Sequence, residues 1–503
     1  MKLGELLQGV PGVEIGAPAT ADIKSLAYDS RRVEPGTLFF AVRGEKADGH
    51  DFIPQALERG AAAVVSERPA PADLAAKWVR VPRIRRALAE ASRTFYGRPD
   101  LKLQLIGITG TNGKTTTAYL LESIFRAAGI PTGLFGTIEY RFGGRTLAAL
   151  NTTPESLDLL VCFAELVGTG GKAAVMEVSS HALAQERVWG LHFAVGVFTN
   201  LTQDHLDYHK DFEHYFAAKQ RLFEGLGGGP PDLAVINVDD EWGRRLLDLP
   251  FARRMTYGMN SGADVRPKEF HQNHAGLRAI VQTPVGALEI ESRLVGRANL
   301  ANLLAATATA VGMGMEAAKV REGIAALAVV PGRFERVDEG QPFLVVVDYA
   351  HTDDALRNVL KTARELTPKR LITVFGCGGE RDRTKRPLMG EAAGLLSDHV
   401  VLTSDNPRNE DPLLIMNDVL VGLQKAGKPH GLEVDRETAI RKALEMAGEG
   451  DVVVIAGKGH ETYQILKDRR IPFDDREVAR RTIRELGYRP EASNAGRPNS
   501  TRR

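Results

Sequence analysis

The residues best suited to chemistry lie in a glycine-rich turn between a short apolar run, 103–108, and a helical pattern. The turn, GTNGKTT, supplies Gly110, Gly113, Lys114 and Thr115. Glycines let backbone N–H groups approach an anion, the helix N-terminus adds partial positive charge, lysine neutralises phosphate, and a threonine hydroxyl can ligate Mg²⁺. The turn predicts a phosphate cradle of a variant type, because Ile108 stands where the strict P-loop has glycine.

Two later strand ends carry side chains that could complete such a site. Glu177 lies near the end of the apolar run 173–178, where P-loop enzymes place a carboxylate that holds Mg²⁺; a cap for the next turn is the alternative. The run 193–198 leads into a polar segment with two histidines, His205 and His209, and two aspartates, which favours a site over a solvated loop. Lys219 follows on a helical pattern, and its local sequence alone indicates a solvated charge.

Four strand-like runs between 343 and 456 each lead into a loop rich in charge. Parallel strands bring such loops to one sheet edge, where ligands bind, so these charges should converge. Arg381 and Arg408 offer guanidinium groups for carboxylates, and Asp405 and Glu461 offer anions for an ammonium group. The loops therefore suit a zwitterionic amine. Beside a nucleotide cradle, they favour ATP-driven amide formation over a kinase, which needs a hydroxyl acceptor, or a motor, which needs coupled arms.

The order of these segments predicts an α/β protein with three domains. Residues 1–98 are expected to form a small N-terminal α/β domain, with strands at 38–42 and 61–65 and a helix between them. Residues 99–331 are expected to form a central P-loop-type mononucleotide-binding domain with a parallel sheet. Residues 332–490 are expected to form a C-terminal Rossmann-like domain, although GCGGERD is not a dinucleotide glycine pattern. Residues 491–503 are predicted to be a disordered tail.

Two polar segments are less specific. Tyr28 to Arg32 precedes a strand, and physical reasoning leaves ligand binding and turn capping equally open. Residues 151–155, NTTPE, predict a helix start, with Thr153 as the N-cap and Pro154 in the first helical position.

Composition excludes several classes of function. With 65 basic and 64 acidic residues among 503, the net charge of +1 gives no electrostatic case for nucleic acid or an anionic membrane. No apolar run approaches the ~20 residues of a membrane helix, and the N-terminus lacks a signal-peptide core. Cys162 and Cys377 are far apart, which indicates a reducing compartment. We expect a cytoplasmic protein without membrane insertion.

Motifs along nearly the whole chain resemble those of the Mur ligases of peptidoglycan synthesis. They are TGTNGKTT at 109–116, NTTPE at 151–155, MEVSSHALAQER at 176–187, NLTQDHLDYH at 200–209, AAK at 217–219, GRANLANLLAA at 296–306, PGRFE at 331–335, DYAHT at 348–352 and GKGHE at 457–461. DNPR at 405–408 is similar to the signature of the branch that adds meso-2,6-diaminopimelate. The resemblance implies a monomeric ligase that joins this amino acid to UDP-N-acetylmuramoyl-L-alanyl-D-glutamate, using ATP and Mg²⁺.

The resemblance also assigns roles to individual residues. The contacts it implies for ATP are Gly110, Thr111, Asn112, Gly113, Lys114, Thr115, Thr116, Asn299, Arg333 and Asp348, with His351 among the catalytic residues. The Mg²⁺ ligands it implies are Thr115, Glu177, His205 and Lys219, the last as an N6-carboxylated (carbamate) lysine. The contacts implied for the uridine nucleotide of the other substrate are Tyr28, Ser30, Glu45, Lys46 and Ala47, and those implied for its sugar and dipeptide are Asn151, Thr152, Thr153, Ser179, Gln185 and Arg187. Those implied for diaminopimelate are Arg381, Asp405, Asn406, Pro407, Arg408, Gly457 and Glu461.

Three positions depart from the family pattern. Asp353 replaces a common proline after DYAHT, Ser404 stands where an acid is common, and Glu45 with Lys46 differs from relatives. The alternatives are a lysine-adding ligase of the same family, a folylpolyglutamate synthetase and a nucleotide-binding regulator without catalysis. The Asp29-Ser30-Arg31 segment argues against the folate enzyme. The joint presence of Lys114, Glu177, His205 and Lys219 argues against the regulator.

Overall fold

The computed structural model describes residues 1–44, 47–260, 262–366 and 369–489. The predictions for Glu45, Lys46 and the tail 491–503 lie outside these residues. No helix in the described ranges is both long and apolar enough to cross a membrane.

The N-terminal part of the chain forms a five-stranded sheet. The strands are β1 (Glu14–Ile15), β2 (Ser25–Ala27), β3 (Thr37–Phe40), β4 (Ala63–Ser66) and β5 (Trp78–Arg80), and the helices are α1 (Leu3–Leu6), α2 (Ile53–Glu58) and α3 (Ile84–Phe95). The spatial order is β1-β5-β4-β3-β2, parallel except for β1 with β5. The strands predicted near 38–42 and 61–65 and the helix between them are confirmed.

The middle part is built on an eight-stranded sheet and a three-stranded sheet. The strands are β6 (Gln104–Thr109), β7 (Thr132–Phe135), β8 (Glu139–Phe142), β9 (Arg145–Ala148), β10 (Ala173–Glu177), β11 (Val195–Phe198), β12 (Leu233–Asn237), β13 (Arg254–Tyr257), β14 (Arg266–Asn273), β15 (Gly276–Thr283) and β16 (Gly286–Ser292). The helices are α4 (Lys114–Ala127), α5 (Ser156–Gly168), α6 (Ser180–Ala184), α7 (Leu206–His209), α8 (Phe212–Glu224), α9 (Glu241–Leu246), α10 (Arg297–Gly312) and α11 (Ala317–Ala326).

The order of the large sheet, β13-β12-β11-β6-β10-β7-β8-β9, places β6 between β10 and β11. All three strands run parallel, with Ile108 opposite Glu177 on one side and Val197 on the other. Buried apolar residues from α4, α10 and α11 cover one face, and those from α5 and α8 cover the other. The carboxyl ends of β6, β10 and β11 therefore open onto one edge, as the sequence predicts.

The C-terminal part forms a six-stranded sheet and a hairpin. The strands are β17 (Glu335–Val337), β18 (Leu344–Asp348), β19 (Leu371–Phe375), β20 (His399–Leu402), β21 (His430–Leu432), β22 (Val452–Ala456), β23 (Tyr463–Leu466) and β24 (Arg469–Pro472). The helices are α12 (Asp353–Leu366), α13 (Lys385–Leu396), α14 (Pro412–Ala426), α15 (Arg436–Met446) and α16 (Asp475–Glu485). The order β17-β18-β22-β19-β20-β21 is parallel except for β17, which confirms four parallel strands with charged loops on one edge.

The predicted helix start at Thr153 is wrong. Helix α5 begins at Ser156, and Glu155 is its N-cap. Thr153 lies outside the helix and does not cap it, because its side chain is bonded elsewhere. Its hydroxyl instead donates to the carbonyl oxygen of Glu177 at 2.9 Å, which ties the segment to the end of β10.

Candidate active site

The phosphate cradle lies between β6 and α4. Gly110 and Gly113 have φ angles of 144° and 88°, which glycine tolerates better than other residues. A Cβ atom at Gly110 would lie 1.9 Å from Thr199 Oγ1, and one at Gly113 would lie 2.4 Å from Asn302 Oδ1. Larger residues would push the loop away from the start of α4, where free backbone N–H groups suit an anion.

Two lysines meet beneath this loop. Lys114 Nζ and Lys219 Nζ each donate a hydrogen bond of 2.8 Å to the carbonyl oxygen of Gly110, and Lys114 donates a second to Thr111. Lys219 is 1% exposed and packs over the ring of Tyr215. Burial, followed by the charge of Lys114, holds its pKa well below that of an ordinary lysine. The solvated charge expected from its local sequence is therefore wrong, because α8 turns this side chain inward.

Glu177 faces the start of α4 from the end of β10. Its carboxylate is almost fully buried and accepts a hydrogen bond from Thr115 Oγ1 at 3.1 Å. It also accepts bonds from the backbone N and the Oγ1 of Thr137, at 2.8 and 3.0 Å. Glu177 thus bonds across the sheet edge to the loop after β7.

Glu177 and Thr115 fit the oxygen donors that Mg²⁺ takes from nucleotide-binding proteins. Magnesium usually takes one or two carboxylates from the protein and keeps water and substrate phosphate oxygens as its other ligands. Within the described ranges, no three His, Cys, Asp or Glu side chains gather into a metal cage. The ammonium form of Lys219 cannot bind a cation, whereas a carbamate on its nitrogen would supply oxygen ligands.

His205 and His351 lie on either side of one carboxylate. Their Nε2 atoms are 3.3 and 3.9 Å from Asp204 Oδ2, and His351 Nδ1 is 2.9 Å from the carbonyl oxygen of Tyr349. Burial is the main cause that lowers the pKa of His205 to about 3 and that of His351 to about 4. Both rings are therefore neutral near pH 7, and each keeps one nitrogen lone pair.

A cavity of ≈ 110 Å³ lies between the phosphate loop, α10 and α12. Predicted ATP contacts that line it are Asn112, Gly113, Thr115, Thr116, Asn299, Arg333 and Asp348. Arg333 Nη2 donates to Thr115 Oγ1 at 3.2 Å. Asp348 accepts backbone N–H bonds from Phe334 and Ala350 at 2.6 and 2.7 Å. The C-terminal part of the chain thus closes this cavity against the phosphate loop.

A larger cleft, of ≈ 770 Å³, lies where the carboxyl edges of the middle and C-terminal sheets face each other. Asp204 and His205 line it from the middle part, and His351 lines it from the loop after β18. The predicted diaminopimelate contacts that line it are Arg381, Asp405, Asn406, Arg408, Gly457 and Glu461. The structure therefore brings the charged loops of the last sheet together, as the sequence predicts, and places them opposite Asp204 and His205 of the middle part.

A buried hydrogen-bond network joins two of these loops. Asn406 Nδ2 donates to Glu461 Oε2 at 2.8 Å, and Lys458 Nζ donates to the same oxygen at 2.9 Å and to Asn406 Oδ1 at 3.2 Å. A Cβ atom at Gly457 would lie 2.7 Å from Asp405 Oδ2, so the loop after β22 approaches that carboxylate closely. This network fixes Asp405 and Glu461 as the anionic side of the cleft.

Two arginines form the cationic side. Arg381 is exposed to the cleft, and Arg408 is half-buried with Nη1 donating to the carbonyl oxygen of Gly379. Burial, followed by the charge of Arg381, lowers the pKa of Arg408. Two guanidinium groups close enough to repel each other are suited to bind carboxylate groups between them.

The predicted dipeptide contacts fall at two places. Asn151 and Thr152 line the large cleft. Thr153, Ser179, Gln185 and Arg187 form a second, hydrogen-bonded cluster. Arg187 donates to the carbonyl oxygen of Thr153 at 3.0 Å and to Gln185 Oε1 at 2.8 Å. The backbone N of Ser179 donates to Thr153 Oγ1 at 3.0 Å.

The predicted uridine contacts lie apart from the large cleft. The Tyr28 hydroxyl donates to Asp158, and Ser30 Oγ donates to Gln55 Oε1 at 2.6 Å. Ala47 is exposed. None of these three residues lines the cleft, so their role at a nucleotide sugar stays a prediction.

Several residues of the site were missed in the sequence. Thr137 bonds Glu177, and Asn302 lies against Gly113. Asp354 Oδ2 accepts from Asn112 Nδ2 at 2.9 Å, and Lys385 lines the large cleft. Thr137 gives no local signal, since it is an ordinary polar residue placed by the fold, whereas Asn302 lies within the motif at 296–306. Asp354 is next to the departure noted at 353, and Lys385 is four residues after Arg381, so both could have been found.

Comparison with known proteins agrees with the family resemblance of the motifs. Models of the Mur ligase family match three segments: its catalytic domain model at residues 22–96, its middle domain model at 108–310 and its glutamate ligase domain model at 332–459. The UDP-N-acetylmuramoyl-L-alanyl-D-glutamate–2,6-diaminopimelate ligase of Solibacter usitatus is 60% identical over 97% of this chain and 99% of its own length. The enzyme of the same name from Geobacillus thermodenitrificans is 49% identical over 96% of this chain and its own full length.

A solved structure with that same enzyme name has a TM-score of 0.68 and 34% identity, and the match covers 97% of this chain and 99% of that one. The three family models match consecutive segments that together span most of the chain. The chain belongs to the Mur ligase family.

Proposed function

We propose that this protein joins meso-2,6-diaminopimelate to UDP-N-acetylmuramoyl-L-alanyl-D-glutamate with conversion of ATP to ADP and phosphate, a step of peptidoglycan precursor synthesis. One observation carries the proposal: a single cleft brings Asp204 and His205, from the edge of the middle sheet, to His351, the paired arginines and the acids, from the loops of the C-terminal sheet. Full-length relatives that carry this enzyme's name, at up to 60% identity, support the same substrates.

In the first step, a carboxylate oxygen of the dipeptide's glutamate attacks the γ-phosphorus of ATP. The bond from that phosphorus to the β–γ bridging oxygen breaks, and ADP leaves. The phosphate loop and Lys114 hold the phosphates, while Arg333 closes on Thr115 from the C-terminal part. Bound Mg²⁺, held by Glu177 and Thr115 with His205 and the Lys219 carbamate, would neutralise phosphate charge.

In the second step, an amine of diaminopimelate attacks the carbonyl carbon of the acyl phosphate. The new C–N bond forms, the tetrahedral intermediate collapses, the C–O bond to phosphate breaks, and the amine nitrogen loses its proton to the departing phosphate. Asp405 and Glu461 are placed to bind the ammonium groups of the amino acid, and Arg381 and Arg408 its carboxylates. Most of the rate enhancement comes from holding three substrates in line in a charged cleft.

The two arginines favour diaminopimelate over lysine. Diaminopimelate has a second carboxylate that lysine lacks, and binding lysine would leave one guanidinium group without its anion. A site built to hydrogen-bond a group rejects the analogue that lacks it, because the buried polar group is then unpaired. This difference separates the proposal from a lysine-adding ligase.

The test is a substrate panel with product analysis by mass spectrometry. We expect the tripeptide product and equimolar phosphate only when the nucleotide-sugar dipeptide, ATP and meso-diaminopimelate are all present. Equal turnover with L-lysine would contradict the specificity, and turnover with a folate substrate would contradict the function. Phosphate release without any amine product would favour a nucleotide-hydrolysing regulator.

A further inference from the structure

Lys385 is a largely buried lysine whose ammonium group forms no ion pair with the described residues. It is the first residue of α13, 6% exposed, and it lines the large cleft. In residues 1–44, 47–260, 262–366 and 369–489, its Nζ forms no hydrogen bond and has no carboxylate within 4.0 Å. An anion that pairs with the ammonium group of Lys385 would therefore have to be bound in the cleft.

Two nearby buried cations, unlike Lys385, have carboxylate partners. Arg386, the next residue, is fully buried, and its guanidinium group lies 2.9 Å from both Glu410 Oε1 and Asp418 Oδ2. Lys458, also fully buried, lies 2.9 Å from Glu461 Oε2. A fully buried charge needs a partner, because its hydration is otherwise lost without compensation, whereas Lys385 faces the cleft. The missing partner of Lys385 is thus a specific feature of this position.

Lys385 lies between the side of the cleft nearest the phosphate cradle and the side proposed to bind the amine, at a place we call the junction. Lys385 shares the cleft wall with His351 and Asp204, which lie toward the phosphate cradle, and with Arg381 and Cys377, which lie toward the amine side. After burial, the charge of Lys385 is the next cause of the lowered pKa of His351, so the two groups are within electrostatic reach. An anion that bridges the halves would meet this ammonium group.

We propose that Lys385 is a further catalytic residue, whose ammonium group binds the phosphoryl oxygens of the acyl phosphate and the oxyanion of the tetrahedral intermediate. The inference rests on the proposed function. The species it binds gains negative charge at the junction as the C–N bond forms and keeps it until the C–O bond to phosphate breaks. A fixed cation stabilises such charge without reorganisation during the reaction. Lys385 keeps its proton throughout amide formation and acts only through its charge.

The test compares the full-length protein with Lys385→Met and Lys385→Arg. We expect Lys385→Met to lower kcat roughly 100-fold or more, while the KM for diaminopimelate changes by less than about threefold. Hydroxylamine in place of the amino acid should trap the acyl phosphate as a hydroxamate in the wild type, with a matching loss in Lys385→Met. Lys385→Arg, which keeps the charge, should retain more of both activities.

Thermal unfolding without substrates separates this role from a structural one. Removal of a charge that has no ion-pair partner should leave the midpoint unchanged or raise it, whereas Lys458→Met, which leaves Glu461 without its ion-pair partner, should lower it. The inference is overturned by a kcat within about threefold of wild type, by a selective rise in the KM for diaminopimelate, or by a midpoint as low as that of Lys458→Met. A wild type that forms no tripeptide would overturn the proposed function instead.

Discussion

Lys114 and Lys219 donate hydrogen bonds of 2.8 Å to one and the same acceptor, the carbonyl oxygen of Gly110. Two ammonium groups this close repel each other, and burial adds to the cost of charging both. The pKa of each is lowered, with burial as the first cause, and Lys219 feels the charge of Lys114 in addition. The neutral amine is the form that reacts with CO₂, so the lowered pKa supports the proposed carbamate on Lys219.

Lys219→Ala should therefore lower kcat about 100-fold or more and be partly restored by formate or acetate, because a small carboxylate can occupy the space of the carbamate. Lys219→Arg should be inactive and not restored, since its side chain fills that space with a permanent cation. Steady-state rates with and without the added acid are the measurement. Full activity of Lys219→Arg would contradict the carbamate.

Arg408→Ala should raise the KM for diaminopimelate much more than that for ATP. Loss of a charge-assisted bidentate contact costs about 2 to 4 kcal/mol, or roughly 30- to 1000-fold. Arg383→Ala is the matched control, because Arg383 is in a neighbouring loop, is exposed and pairs with Asp418 at 3.0 Å. Equal changes in both KM values, or the same change in the control, would show that Arg408 acts through the fold.

Glu177→Gln should weaken the apparent affinity for Mg²⁺ by at least about tenfold, measured as the metal concentration that gives half-maximal rate. The amide keeps a shape that can accept from Thr137 but loses the negative charge. Glu139→Gln is the control, because Glu139 is an acid that lines the large cleft and accepts a hydrogen bond from Tyr119 at 2.9 Å rather than from Thr115. The idea fails if both variants show the wild-type requirement for Mg²⁺.

His209 should make folding stability depend on pH. Its Nε2 is 2.9 Å from Ser180 Oγ, and burial, followed by the charge of His181, lowers its pKa from 6.5 to about 4. The unfolded chain therefore binds a proton near pH 6.5 that the folded protein binds only near pH 4. This contribution to stability is complete above pH 6.5 and is lost as the pH falls toward 4, by about 1 to 3 kcal/mol.

His209→Gln, which can still bond Ser180, should reduce this loss. The measurement is the free energy of unfolding in denaturant at pH 8 and pH 5 for both proteins. Parallel decreases in the two proteins would show that other groups cause the acid sensitivity.

The phosphate cradle could be predicted from the sequence because its chemistry is local. The glycines, Lys114 and Thr115 follow one another between a strand and a helix, and the structure keeps them there. The convergence of the C-terminal loops was also predictable, since parallel strands must present their carboxyl ends together. The apolar runs that form β18, β19, β20 and β22 carry that information.

The inward position of Lys219 could not be predicted from its surroundings in the sequence. Helix α8 is amphipathic, and only the packing of the sheet shows that this lysine reaches Gly110, which is 109 positions away. The start of α5 was missed for a similar reason, because the Thr153 hydroxyl has a distant partner at Glu177. Tertiary contacts decide such positions, and the role proposed for Lys219 rests on resemblance to a family.

The central claim is that ATP activates the carboxylate of the nucleotide-sugar dipeptide by phosphoryl transfer. The most direct measurement is the fate of ¹⁸O placed in the γ-carboxylate of the glutamate residue. An acyl phosphate requires that one labelled oxygen leave with the phosphate when the amide bond forms, so the released phosphate should carry one ¹⁸O atom for each tripeptide made. Release of phosphate without ¹⁸O during tripeptide formation would contradict the account.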